Sequence, residues 1–420
     1  PAPARSPRVR AEPLNPPPPP INPPAPERDP VAGPSVVDEM LSESAAGDDG
    51  PSMGGYSLDA SCGSCGTGPF GEAVASGGFC DPCLLQEWQV SVSALYMTRD
   101  DPNPLSTTME AGSPADGLGT YVPMDWSGGG EVRVLHRFGC IPYLSNGCSG
   151  GWAIEGVFWT LDSLTGSVTR RSSSPGGLVS STLDFTDVSY RRSGLSGLDP
   201  GDLFYDARRQ RVSRNDDVYN VELNLIRSPS IPCAFGPLEM SWSVGARLFQ
   251  FDEDWRYVSL ADGGMDFGID PTMEGFLDNN ITNTLIGAQV GADVAYQVDK
   301  WGLFFRPRVG LYNNHIKNHF AAYRGDGAPF AADTAGYPDY PVSSSTNAVS
   351  FLTEVDAGLE WLFSPRWGVH LGYRATVVTG IGLADHQIPH FVADTPAIAD
   401  IDHNAHLILH GGYAGVSCQF

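Results

Sequence analysis

The sequence predicts an all-β protein: a closed, antiparallel, up-and-down transmembrane β-barrel of about ten strands, up to twelve, preceded by a Pro-rich N-terminal tail that is disordered or extended. Three observations predict it. From Trp88 onward apolar and polar residues alternate with a period of two, several segments alternating for about 12 residues or more where about 9–11 suffice to cross a bilayer. Long and short connections then alternate along the chain, as they do around an even-stranded membrane barrel whose short turns share one end. The final strand ends on Phe420 after an alternating run, which makes Phe420 a candidate membrane-insertion signal.

Ten segments carry the alternation: 88–99, 130–139, 152–163, 218–228, 239–254, 283–299, 301–313, 348–363, 366–379 and 405–419. The sixth is the clearest. Thr284, Ile286, Ala288, Val290, Ala292 and Val294 share one face, opposite Asn283, Gly287, Gln289, Gly291 and Asp293. On this register arginine at Val290 would face lipid at a cost, and at Gln289 would be mild. Trp88, Trp242, Trp301, Trp361 and Trp367 lie near strand ends and fit an interfacial girdle. The connections 100–129, 163–216, 255–282, 320–347 and 380–404 are long and are expected to face outside; short turns such as Lys300 and Ser364–Pro365 place both termini in the periplasm. One or two strands hidden in 163–216 or 255–282 would make twelve.

Residues 1–60, with the run Pro16–Pro20 and almost no aromatics, have too little apolar area to offset chain entropy and read as a polyproline-like tail, a spacer or an arm for a periplasmic or cell-wall partner. Residues 61–85 form a small four-cysteine segment, and residues 86–420 the barrel. Cys62-Gly-Ser-Cys65 and Cys80-Asp-Pro-Cys83 have the spacing of a four-thiolate zinc site, while an oxidising periplasm favours two disulfides. Cys140 and Cys148 flank one short turn and are candidates to pair; Cys233 and Cys418, at the same rim, are a second candidate pair. A possible structural zinc apart, no cofactor is expected.

The pieces Trp88-Gln-Val-Ser-Val-Ser-Ala-Leu-Tyr-Met-Thr-Arg99, Tyr219-Asn-Val-Glu-Leu-Asn224, Gly245-Ala-Arg-Leu-Phe-Gln-Phe-Asp-Glu253, Asn283-Thr-Leu-Ile-Gly-Ala-Gln-Val-Gly291 and Gly310-Leu-Tyr-Asn313 resemble the β-barrel porin family known mainly from planctomycete-type bacteria. The resemblance covers about four-fifths of the chain and implies a bacterial outer-membrane barrel with porin activity. The tail and the four-cysteine segment lie outside it.

Parity points Arg99, Arg133, Arg137, Glu155, Glu222, Arg247, Glu253, Asp293, Arg306, Arg308, Glu354, Asp356, Glu360 and Arg374 into the lumen. Barrels of about eight strands are filled by side chains and those of about sixteen leave a channel, so ten strands imply a narrow lumen. These charges are then a structural ion-pair network or a constriction selecting small hydrophilic solutes. The readings are a narrow porin, a non-conducting barrel anchoring an oligomeric envelope assembly through tail and loops, and, remotely, an outer-membrane hydrolase.

Bulk properties narrow the partners. Forty-nine acidic against 25 basic residues give a net charge of −24, which repels a phosphate backbone and argues against nucleic acid. The short Arg-rich stretches at Arg170–Arg171 and Arg208–Arg214 read as solvated loop charge. No run of 18 apolar residues exists, so any crossing is by strands, and the absence of a charged-then-apolar start fits a leader lost before Pro1. The expected partners are outer-membrane lipid and further copies of the chain. His386, His390, His403, His406 and His410 cluster near the C-terminus, but no nucleophile motif or carboxylate pair accompanies them, and an enzyme is not expected.

Overall fold

The computed structural model describes residues 88–420 apart from 101–104, 112, 119–121, 139–150, 193, 196, 228–237 and 335, together with the backbone alone over 113–118. The tail, the four-cysteine segment, Cys140, Cys148 and Cys233 lie outside the described residues.

Alternation at a two-residue period produces strands throughout. In chain order they are β1 (Trp88–Arg99), β2 (Thr108–Glu110), β3 (Ser113–Leu118), β4 (Ser127–Phe138), β5 (Trp152–Arg170), β6 (Val179–Ser181) and β7 (Val188–Tyr190). After a short helix α1 (Pro200–Phe204) come β8 (Ala207–Arg227), β9 (Leu238–Ala261), β10 (Glu274–Val298), β11 (Trp301–Arg324), β12 (Phe330–Ala332), β13 (Val342–Leu362) and β14 (Trp367–Ile381). A second short helix α2 (Thr395–Ala399) precedes β15 (Ala405–Gln419).

Ten of these strands close a barrel in the order β1, β4, β5, β8, β9, β10, β11, β13, β14, β15, each antiparallel to its neighbours, and β15 returns to β1. The ring is sealed at Trp88, whose N–H and C=O bond Phe420, both at 3.0 Å. A twelve-stranded barrel is not formed. Of the five remaining strands, β2, β3 and β6 continue the sheet beyond the barrel wall at β8, while β7 and β12 form a separate pair.

The barrel's two ends differ. At the turn end Val298 pairs with Trp301 across Asp299–Lys300, with Asp299 in the left-handed region at φ 53°, and residues 363–366 join β13 to β14. At the cap end the strands run further than their alternation suggests. Residues 255–261 and 274–282, expected in a loop, belong to β9 and β10, and β11, β13 and β8 likewise extend to Arg324, Val342 and Ala207.

The extension escapes a simple reading because the faces exchange character along one strand. On β11 the outward residues Trp301, Leu303, Phe305, Val309 and Leu311 are apolar, then Asn313, His315, Lys317 and His319 are polar. Its inward residues change the other way, from Arg306 and Arg308 to buried Ile316, Phe320 and Ala322. On β9 the outward series passes from Met240, Trp242 and Val244 to Gln250, Asp252, Asp254 and Arg256, while the inward series passes from Arg247 to Phe249, Phe251, Trp255 and Tyr257. Near the turn end, therefore, lipid surrounds a polar lumen; near the cap end, water surrounds an interior in which large apolar side chains join buried polar ones such as Glu253 and Asn318.

The lipid-facing belt runs round all ten strands: Val92, Val132, Ile154, Leu223, Val244, Val290, Leu303, Phe351, Leu371 and Val416 each expose at least 40% of their surface. A continuous exposed belt of this kind is incompatible with a water-soluble monomer. At the turn end it is edged by Trp88, Trp242, Trp301, Trp361 and Trp367, all exposed. Several stack with aromatic neighbours, Trp88 on His136 at 4.3 Å and Trp301 on Trp361 at 5.9 Å.

Candidate functional site

Inside the belt, successive inward positions of seven strands bring opposite charges together. Arg308 of β11 donates to Glu155 of β5 at 2.9 Å and Glu222 of β8 at 2.8 Å. Arg133 of β4 meets the other oxygen of Glu155 at 2.8 Å, and Asp356 of β13 at 3.7 Å. Arg374 of β14 lies 2.6 Å from Glu131, 3.5 Å from Asp356 and 3.9 Å from Glu354. Arg247 of β9 closes the lattice on Glu354 at 2.8 Å and Glu222 at 3.7 Å. Four arginines thus face five carboxylates, and none of the nine exposes more than 9% of its surface.

Neutral groups fill what the charges leave. Gln289 donates to Glu222 and Asn224, both at 2.8 Å, and accepts from Tyr312 at 3.2 Å. Tyr413 donates to Asp356 and lies opposite Gly372, where a Cβ would collide with its ring. The guanidinium of Arg374 rests over Trp159 at 5.7 Å and Tyr413 at 5.3 Å. Gln289 is buried and bonded to Glu222, Asn224 and Tyr312, so arginine there would displace paired groups, and the mild effect expected of it is corrected.

All fourteen charges predicted by parity point inward. Ten are buried, and Arg137, Asp293, Arg306 and Glu360 are half-buried near the turn end, where Arg306 lies 3.5 Å from Asp293 and Ser417 donates to Glu360 at 3.0 Å. Sequence reasoning misses Glu131, Arg214, Asp216 and Asp385. Glu131 shares the parity of Arg133, a sufficient signal. Arg214 and Asp216 sit in a stretch whose composition is that of a solvated loop; they are buried in β8, as is Arg209, and that expectation is corrected.

A second cluster lies nearer the cap. Arg99 meets Asp216 at 2.8 Å and Glu253 at 3.4 Å, and Arg214 meets Glu253 at 2.6 Å and Asp385 at 3.4 Å. Asp385 belongs to the connection 382–404, within the stretch 380–404 expected as a long outward-facing loop, and this connection folds into the barrel mouth. Leu383, Ile388, Val392, Ile398 and Ile401 are buried there, and inward side chains hold its backbone. Glu253 accepts from Ala384 N–H at 2.8 Å, Asn279 and Asn318 donate to the carbonyls of Ala384 and Ile398 at 3.0 and 3.2 Å, and Asn283 bonds both polar groups of Gly382. Beside this plug, Phe204 of α1 stacks on Phe185 at 4.1 Å and packs against Tyr257 and Phe330.

Two arginines facing three carboxylates leave an excess negative charge in this cluster. Burial raises the pKa of Asp385 above the usual carboxylate value, with Arg214 opposing and Glu253 reinforcing the shift. A carboxyl with a raised folded pKa adds stability that is full below its unfolded pKa and lost as pH rises through the folded value. Asp385→Asn is accordingly expected to hold or raise stability at neutral pH and to flatten its decline between acid and neutral pH, measured by urea unfolding in vesicles; a drop at pH 7 equal to that of Arg214→Ala would refute this.

Two of the five C-terminal histidines have partners on the outward face. His406 lies on the outward face, 3.9 Å from Asp100, and His410 pairs with Tyr373 at 2.8 Å. Among the described residues no three His, Cys, Asp or Glu side chains are placed to share a metal ion. Cys418 carries a free thiol on the outward face beside Val90 and Trp367, so the pairing expected of it is corrected.

No protein-family model matches the sequence, and no curated protein matches it. Among solved structures the chain is similar to the outer membrane protease OmpT of Escherichia coli, at 12% identity over 80% of this chain and 97% of that one, with a TM-score of 0.37. A major outer membrane protein of Thermus thermophilus is 12% identical over 79% and 99%, with a TM-score of 0.29. The Pseudomonas putida toluene transporter TodX is 9% identical over 80% and 90%, with a TM-score of 0.30. At these identities and scores no activity passes from them to this chain.

Proposed function

We propose that this chain is a bacterial outer-membrane barrel with a sealed lumen, a membrane-embedded anchor that works through its surfaces rather than as an open porin. The observation that carries this reading is the buried lattice of Arg133, Arg247, Arg308 and Arg374 with Glu131, Glu155, Glu222, Glu354 and Asp356, which spans the lumen from wall to wall. A passive porin needs a continuous water path; here the charges are buried and paired with one another across the lumen. The plug closes the lumen a second time. Short turns at one end and the folded cap at the other support a periplasmic turn end and an outward cap, and the expected partners are a cell-wall component for the Pro-rich tail and further copies of the chain.

Planar-bilayer recording tests the reading. Wild type is expected to insert without conductance steps, and deletion of 386–400 is expected to leave it silent because the arginine lattice still seals the lumen. Stable single-channel steps from wild type would overturn the anchor and restore the porin.

A further inference from the structure

The outward face above the belt carries Asp217, Asp252, Asp254 and Asp278, with Arg256 bound to Asp278 at 2.8 Å and Arg211 on β8. One column gathers histidine and lysine. His315, Lys317 and His319 stand on alternate outward positions of β11, immediately beyond Val309 and Leu311. The chain has only two lysines, Lys300 and Lys317.

Antiparallel register sets this column in a grid. Thr282, Lys317 and Ser345 are cross-strand neighbours, as are Asn280, His319 and Ser343 in the row above and Thr284, His315 and Asn347 in the row below. The next row, Ile286, Asn313 and Val349, begins the belt. Asn280, Thr282, Lys317, His319, Ser343 and Ser345 line a depression of ≈ 530 Å³. His319 Nδ1 is tied to Ser343 at 2.9 Å and His315 Nδ1 to Asn347 at 3.1 Å, which holds both rings beside Lys317. Asp252 and Asp254 lie two strands away on β9, in the rows of Lys317 and His319. Gln250 donates to one oxygen of Asp252 at 2.7 Å and Asn280 donates to Asp254, so both carboxylates are held on the β9 side of the grid while keeping their charge.

We infer that this grid binds the phosphate of a membrane lipid headgroup, and on the orientation proposed above, that of an outer-leaflet phosphoglycolipid. A phosphate needs a cation and several hydroxyl or N–H donors converging on one spot, which Lys317, Thr282, Ser343, Ser345 and His319 supply. Height selects the source. The outward residues Trp301 to Leu311 span 11 positions, about the length that crosses the hydrocarbon, so the acyl chains of a bound lipid lie against Val309, Leu311 and Phe351 while its phosphate reaches Lys317. Free phosphate would gain only the upper half of this surface.

Native mass spectrometry of the full chain in detergent, titrated with a lipid A-type bisphosphorylated glycolipid, tests the site. Wild type is expected to retain one lipid per barrel, and Lys317→Gln to bind about tenfold more weakly, while Lys300→Gln binds as wild type. The dephosphorylated glycolipid is expected to lose binding to a similar degree. Equal lipid binding by wild type and Lys317→Gln would overturn the site, and inorganic phosphate displacing the lipid at equal concentration would overturn the lipid as its ligand. Vesicle flotation run in parallel separates this from failure of the membrane reading: a chain that does not float with vesicles refutes the barrel's placement, whereas one that floats and ignores the lipid refutes the site alone.

Discussion

Replacing Arg374 with methionine is expected to cost about 3–5 kcal/mol of folding stability, because it strands buried carboxylates rather than merely deleting a contact. Arg374 is the shared partner of Glu131, Asp356 and Glu354, and all three are buried. Arg133 stays 3.5 Å from Glu131 and 3.7 Å from Asp356, and Arg247 2.8 Å from Glu354, but these two also serve Glu155 and Glu222, so with Arg308 only three arginines remain to balance five buried carboxylates. The companion change separates charge from shape: Arg374→Met with Glu131→Gln removes one charge of each sign and is expected to recover a substantial part of the loss. Urea unfolding in lipid vesicles reads both. A cost below about 1 kcal/mol for the single change would mean that water reaches the lattice, which would also reopen the case for a conducting lumen.

Val290→Arg is expected to cost about 2–4 kcal/mol, since Val290 exposes 56% of its surface in the middle of the belt between Ala288 and Ala292. The informative control is not its inward neighbour, because Gln289 is locked among Glu222, Asn224 and Tyr312. It is Ser213, an outward position of β8 on the cap side of the belt, where arginine is expected to cost at most about 1 kcal/mol. Equal costs at 213 and 290 would mean that the belt does not face lipid.

The belt-level strands are legible in the sequence because there each side chain answers to one of two solvents, and residues such as Ile286, Val290 and Gln289 report which. The same rule fails beyond Leu311. There His315 and Lys317 alternate with Ile316 and Asn318, so the outward face is polar while the inward face is mixed, and a period-two signal tuned to lipid reads the stretch as loop. The plug is less legible still. Its Leu383, Ile388, Val392 and Ile398 have no fixed spacing, since they fill a space shaped by other strands, and Ala384 is held through its backbone by Glu253 and Asn279. Arg214 and Asp216 are hidden for a related reason: charge next to Ser and Asn looks solvated until tertiary structure supplies Glu253, Arg99 and Asp385 as partners.

The seam between β1 and β15 bears on how this molecule comes into being. Trp88 and Phe420 exchange two backbone hydrogen bonds although they bound the whole barrel sequence. While the chain is being made, β1 has no second neighbour, and every intermediate sheet of fewer than ten strands carries two open edges able to pair with another chain. Closure pays its loop entropy at the largest sequence separation the barrel contains, which makes it slow relative to hairpins such as β10–β11. Assembly is therefore expected to run hairpin by hairpin and to depend on something that shields the edges until the two ends meet.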